Sequence, residues 1–341
     1  MIFAISVASG SLPLHAKSKE DVVVMKNGDK FTGEIKKLEN GVLYFKADYM
    51  VDSVQLDWAR VDRLESQDHF NVYLISGKRL TGTIEAEAED QDAKGGFAVQ
   101  ASGADTRARR SEVVSMVPVE DSFWAQLKGS IDYGFAFTGG SDTTQSSLSA
   151  QVVYQTEKWA AQLSGSSVVN RQSGAKNSGR NTLDFLYVKY VTQHWFAGTT
   201  AGLLNSQQQD LTLRATGGGV FGRDFLQSGT ASLWVLGGVV FSREQYSTSG
   251  EQPGKNEAES QFQMLFSKYV FRRMQFNLQA AAYPNLTTLG RLRLTLESNL
   301  KLELVKNLYW KLSLYENHDN RPPVTAPKND FGTSTSIGWK F

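Results

Sequence analysis

Between Gly290 and Leu304 the chain alternates with a period of two. Leu292, Leu294, Leu296, Leu300, Leu302 and Leu304 share one face of an extended strand, and Arg291, Arg293, Glu297, Asn299, Lys301 and Glu303 share the other. A soluble amphipathic helix repeats its apolar face about every 3.6 residues, so helix is excluded here. Met274, Phe276, Leu278 and Ala280 alternate in the same way, as do Leu308, Trp310, Leu312 and Leu314; Leu211 and Leu213 flank Thr212 and precede Arg214. The last eleven residues set Phe331, Thr333, Thr335, Ile337, Trp339 and Phe341 against Gly332, Ser334, Ser336, Gly338 and Lys340. Apolar residues on one face with polar or small ones on the other, closing on an aromatic, are what a membrane-spanning β-barrel asks of its strands.

The connections support the same architecture. Tight ones are predicted at Thr156-Glu157-Lys158, Thr192-Gln193-His194, Asp224-Phe225-Leu226-Gln227, Phe271-Arg272-Arg273 and Lys306-Asn307. Longer ones are predicted at Thr138 to Asp142, Asn170 to Arg180, Asn205 to Gln209, Tyr246 to Asn256, Pro284 to Thr287 and Asn317 to Asn329. Short and long alternate, which is the sidedness of an outer-membrane barrel with brief periplasmic turns and longer external loops. Eleven connections join about twelve antiparallel strands over residues 122–341, and an even number returns both ends of the barrel to the periplasmic side. Two strands place a lysine on the lipid face, at Lys189 and Lys268, each next to a Tyr and just before a short turn. Snorkelling into the interfacial girdle accounts for both better than a register-shifting bulge does.

Composition agrees where it bears on this. The mean hydropathy of −0.34 and the lack of any apolar run near the roughly 18 residues of a membrane helix leave a barrel open, because only alternate residues meet lipid. A net charge of +1 gives no field for nucleic acid, and with no cysteine the chain has no disulfide, thiolate metal site or Cys nucleophile. Residues 1–16, an apolar run ending in small residues, read as a signal peptide cleaved after Ala16.

Residues 20–119 contain a repeat. Lys26-Asn27-Gly28-Asp29-Lys30-Phe31-Thr32-Gly33-Glu34-Ile35 returns as Ile75-Ser76-Gly77-Lys78-Arg79-Leu80-Thr81-Gly82-Thr83-Ile84. Each copy has a turn ending in Gly, then a strand with a second Gly suited to a bend. Further along, Val42-Leu43-Tyr44-Phe45 answers to Phe97-Ala98-Val99, and Trp58-Ala59-Arg60-Val61 to Ser111-Glu112-Val113-Val114. This predicts a small β-rich periplasmic domain of two SH3- or Sm-like copies, each too short to be stable alone. No basic-aromatic stacking platform is present, and Arg107-Ala108-Arg109-Arg110 is followed closely by acids, so RNA is not an expected partner. The expected role is an adaptor or plug touching the barrel, other periplasmic proteins or the cell wall.

Residues 124–341 resemble the YdiY-like family of salt-induced outer membrane proteins, domain of unknown function 481. The resemblance rests on Thr138-Gly139-Gly140-Ser141-Asp142-Thr143-Thr144, on Leu213-Arg214 followed by Gly217-Gly218-Gly219-Val220-Phe221-Gly222, and on the aromatic C-terminus. Gly140 stands where the family commonly has Asn. The resemblance implies an outer-membrane barrel and no activity, so it transfers no functional residue.

The site expectations follow from the alternation. Arg214, Arg291, Arg293, Glu297, Lys301, Glu303 and Lys311 should face the lumen. Their mixed signs suit a salt-bridged, closed interior or a narrow, weakly selective pore. Phe341, Trp339 and Ile337 should form the signal read by the barrel-assembly machinery. The alternative is a rim enzyme, a lipid hydrolase or protease, with His318 of Tyr315-Glu316-Asn317-His318-Asp319-Asn320-Arg321 as base in an external loop. No zinc-binding spacing or phosphate loop is present, and no cofactor is expected.

Overall fold

The computed structural model describes residues 21–86, 96–101, 104–119, 127–138, 143–156, 158–172, 174, 177–246, 254–270, 273–305, 307–322 and 327–341. The expected signal peptide and most of the Thr138 to Thr144 motif lie outside them. Among the described residues every regular element is a β-strand, apart from two short 3-10 turns.

The N-terminal domain comprises β1 (Asp21–Met25), β2 (Lys30–Glu39), β3 (Val42–Lys46), β4 (Val54–Asp57), β5 (Val61–Leu74), β6 (Arg79–Ala86), β7 (Gly96–Ala101), β8 (Ala104–Arg109) and β9 (Val113–Pro118). The repeat is visible as topology. In the first copy β1 pairs with β2, β2 with β3 and β3 with β4; a 3-10 turn at Trp58–Arg60 then leads into β5, whose first half returns to β1. In the second copy the latter half of β5 takes the place of β1, pairing with β6 and, after a 3-10 turn at Arg110–Glu112, with β9. One strand thus serves both copies. The turns equate Trp58 with Arg110, one residue earlier than the sequence comparison placed it. Gly33 lies where β2 leaves β1 for β3, and a Cβ there would stand 2.8 Å from Ala47 Cα, so the bend requires glycine. Val23, Leu38, Phe45, Phe70, Val72 and Met116 are fully buried in one core shared by the two copies. Each such side chain contributes roughly 1.5–3 kcal/mol, which is why two copies hold where one would be marginal. The basic cluster is partly structural, since Arg110 donates to Val61 O and the Trp58 indole to Arg110 O.

The barrel comprises β10 (Leu127–Thr138), β11 (Thr143–Gln155), β12 (Trp159–Gln172), β13 (Ser178–Tyr190), β14 (Trp195–Ser206), β15 (Leu211–Gln227), β16 (Ala231–Tyr246), β17 (Lys255–Val270), β18 (Met274–Pro284), β19 (Leu292–Val305), β20 (Leu308–Asp319) and β21 (Asn329–Lys340). Each pairs antiparallel with the next, and β21 closes on β10 through Ser130↔Lys340, Ile131↔Trp339, Asp132↔Gly338 and Tyr133↔Ile337. Twelve strands with no open edge is the expected barrel.

Phe135, Leu163, Leu183, Phe221, Phe241 and Phe262 point outward and are exposed, with Phe331, Ile337, Trp339 and Phe341 on the same outer face. Near the short-turn end the outer wall carries stacked rings, Tyr154 on Trp159 at 5.1 Å and Trp195 on Phe221 at 4.9 Å. Lys189 pairs with Trp159 in this girdle, and the register runs unbroken through Lys189 and Lys268, so neither strand carries the alternative bulge.

Two expectations are corrected. Leu211 does not face outward; the register shifts between Leu211 and Leu213, turning Leu211 into the wall at 1% exposure while Leu213 stays outside. Asp224 to Gln227 is strand rather than turn. Asp224 continues the inward row of β15 and is held by His194, so the connection falls at residues 228–230 instead.

Candidate functional site in the barrel lumen

At the long-loop end the lumen is braced by ion pairs. Arg291, with a side chain 2% exposed, reaches Glu244 at 3.0 Å, Asp319 at 2.6 Å and Glu257 at 3.4 Å. Arg214 donates to Glu244 at 2.7 Å, Tyr246 donates to the same carboxylate at 2.6 Å, and Arg293 pairs with Glu259. The brace joins β15, β16, β17, β19 and β20. Buried charges are stable only when paired and hydrogen-bonded, and Arg291 and Arg293 each engage a carboxylate in fork-like fashion.

Two further bridges cross the interior. Arg180 of β13 spans to β21 and β20, bonding Asp330 and Asn317 at 3.2 Å each and lying over the Tyr315 ring. Lys311 of β20 donates to Asp132 of β10 at 2.7 Å and to Ser149 at 2.9 Å. Beside them a second filling is apolar. Val188, Phe196, Val220 and Leu236 are inward and buried on β13 to β16, packed by Tyr190 and Trp234.

The short-turn end is covered by the N-terminal domain. Its β5–β6 turn sits on the β13–β14 turn, so that a Cβ at Gly77 (φ +77°) would strike Gln193 O and stand 2.9 Å from His194. Both the positive φ and the close approach require glycine there. Arg79 stacks on the Tyr190 ring at 3.4 Å, and Tyr73 donates to Thr156 O at 3.5 Å. The β2–β3 turn meets the β15–β16 turn, Gly41 N lying 3.6 Å from the Cβ that Gly229 lacks. Glu39 receives Lys37 at 2.7 Å, and Lys128 at 3.6 Å and Lys340 at 4.0 Å from the two strands that close the barrel. Burial would push the Glu39 carboxyl up; the three lysines outweigh it and hold the pKa at about 2.

Between the ion-pair brace and the N-terminal domain lies a cavity of about 430 Å³, lined largely by polar residues of β10 to β13 and β17 to β21. The seven expected lumen residues sort accordingly. Arg214, Arg291 and Arg293 form the brace. Lys311 bonds Asp132. Glu297 and Lys301 line the cavity, Lys301 over the Tyr309 ring at 4.8 Å. Glu303 lies at the short-turn end, within the electrostatic reach of Tyr44 of the N-terminal domain. Arg180 and Asp330 were missed; the alternation of β13 and β21 carries them inward, but their strands are weakly apolar and the pair is far apart in sequence.

His318 is on β20 and not in a loop. It faces outward, and its Nδ1 meets Asn329 Oδ1 at 2.6 Å beside an apolar groove on the outer wall that includes Phe262, Ala282, Leu294 and Glu316. The residues cross-strand from it are Leu294 and Asn329, neither with a hydroxyl that could serve as nucleophile. Among the described residues no group of His, Asp and Glu could hold a metal ion.

An apolar outer wall, an ion-paired interior and strand-to-strand closure define a membrane-type β-barrel with a folded N-terminal cap. Residues 134–341 match the family described as "Protein of unknown function, DUF481", and the chain belongs to that family. No curated protein matches it. Among solved structures it is similar to a NanC porin (13% identity, 63% of this chain and 98% of that one, TM-score 0.38). It is also similar to the β domain of the Bordetella autotransporter BrkA (10%, 63% and 98%, 0.33) and to the translocator domain of NalP from Neisseria meningitidis (12%, 63% and 87%, 0.33). At these TM-scores the likeness carries no argument about function.

Proposed function

We propose that this chain is an outer-membrane β-barrel held shut from both ends, an envelope protein of structural or adaptor type rather than a standing pore. The observation that carries the reading is the pair of obstructions, the buried Arg291 brace at one mouth and the N-terminal domain docked on the other. The outward apolar belt and aromatic girdle support a bilayer setting. The short-turn position of the N-terminal domain supports its lying in the periplasm. There its loop at Tyr49 and Val51, 79% and 94% exposed, offers an apolar contact for periplasmic or cell-wall components. The outward Ile337, Trp339 and Phe341 suit reading of the last strand by the assembly machinery. The test is planar-bilayer recording of the purified full chain. Silence is expected, and steady open-channel steps without any substitution would overturn the reading.

A further inference from the structure

We infer that the sealed lumen is a binding chamber for a small, uncharged, polyhydroxylated solute, of roughly one to two sugar rings in size. The inference rests on the closed-barrel reading and adds a ligand to it. A cavity of about 430 Å³ falls within the roughly 300–1,000 Å³ of small-molecule sites. Most such sites are apolar with a few polar groups, and this one is more polar than apolar. Its wall presents hydroxyls and amides from nine strands, among them Ser164, Thr182, Gln275, Asn277, Asn299 and Ser336. Hydroxyl and amide groups both donate and accept, which is the chemistry that matches a sugar hydroxyl.

The charge balance argues against an anionic ligand. The ionisable groups on the wall are three acids, Asp132, Asp184 and Glu297, and three bases, Arg180, Lys301 and Lys311. Lys311 is committed to Asp132 and Arg180 to Asp330, which leaves Asp184 and Glu297 against Lys301, a balance that turns away an anion. The wall also holds a polar atom with no partner among the described residues, the buried Ser336 Oγ. An unsatisfied buried hydroxyl costs stability, and a ligand hydroxyl beside it would recover that cost.

The experiment is isothermal titration of the full chain in detergent micelles with maltose, glucuronate and glucosamine. Each sugar is added to folded protein and, separately, is present while the chain refolds from urea, so that slow entry does not mask binding. Maltose is expected to bind, glucuronate to bind at least roughly tenfold more weakly, and Asn299→Leu to weaken maltose roughly tenfold, about one hydrogen bond. Ser336→Ala, nearly isosteric, should weaken it in the same direction and stands in if Asn299→Leu does not fold. No maltose binding in either format, tighter binding of a charged sugar, or unchanged affinity in Ser336→Ala would overturn the inference. Bilayer recordings report on the seal and titration on the chamber, so either result can fail alone.

Discussion

The Arg79 guanidinium lies 3.4 Å from the centre of the Tyr190 ring, joining the second repeat of the N-terminal domain to the inner wall of the barrel. Arg79 follows the Ser76-Gly77 turn, and Tyr190 is the last inward residue of β13 before the turn on which Gly77 rests. A cation over an aromatic face is worth about 2 kcal/mol when desolvated. Arg79→Ala should therefore loosen the cap by about 1–2 kcal/mol without unfolding the barrel. Hydrogen exchange at residues 191–195 should speed up while exchange in β19 and β20 stays as it was.

The second prediction concerns pH. Glu39 is held at about 2, below its ordinary 4.5, by Lys37, Lys128 and Lys340. A depressed carboxyl contributes stability above its unfolded value and loses it as pH falls through the folded one. Docking of the cap should weaken between about pH 4.5 and pH 2, and be constant above that window. With the side chain 23% exposed, the size is about 1–2 kcal/mol after screening. Protease sensitivity of the N-terminal domain at about pH 6 and about pH 3 should differ in the wild type and be equalised in Glu39→Gln.

Arg291→Leu removes the cation shared by Glu244, Asp319 and Glu257 and leaves buried carboxylates uncompensated. Loss of one partner of a buried pair costs about 3–5 kcal/mol. The temperature at which the folded band gives way on a gel should drop clearly, and Arg291→Lys should recover little, because an ammonium cannot fork to two carboxylates.

Deleting Trp339 to Phe341 takes away two of the four residue pairs that close β21 on β10, together with the Gly129–Phe341 hydrogen bonds. A barrel edge left unpaired in lipid is not tolerated. Membrane-inserted yield should fall to a small fraction of wild type, and normal yield would count against this role for the strand.

Much of the fold could be read from alternation because lipid on one side and a packed lumen on the other enforce a period of two along each strand. That rule placed Arg291, Arg293 and Lys311 inside, and the even strand count put both ends of the barrel on one side. It failed at Leu211, where a one-residue bulge flips a leucine with no local signal. It failed again at Asp224 to Gln227, where a charged, bulky stretch looks like a turn and is strand. The repeat was legible through its Gly-containing turns, yet the sharing of β5 by both copies was not, since nothing in one strand's sequence shows that it has two sets of neighbours. The partners of the lumen charges were equally hidden: Arg180 finds Asp330 only because the barrel closes.

The central claim is that the chamber is shut, and labelling of one introduced thiol tests it most directly. The chain has no cysteine, so Ser166→Cys places a single thiol beside Thr182 in the chamber. In liposomes it should react with a small water-soluble thiosulfonate at least roughly a hundredfold more slowly than Val51→Cys on the exposed loop, and faster when combined with Arg79→Ala. Equal rates at Ser166→Cys and Val51→Cys would mean that water and small solutes reach the lumen freely, and would contradict the account.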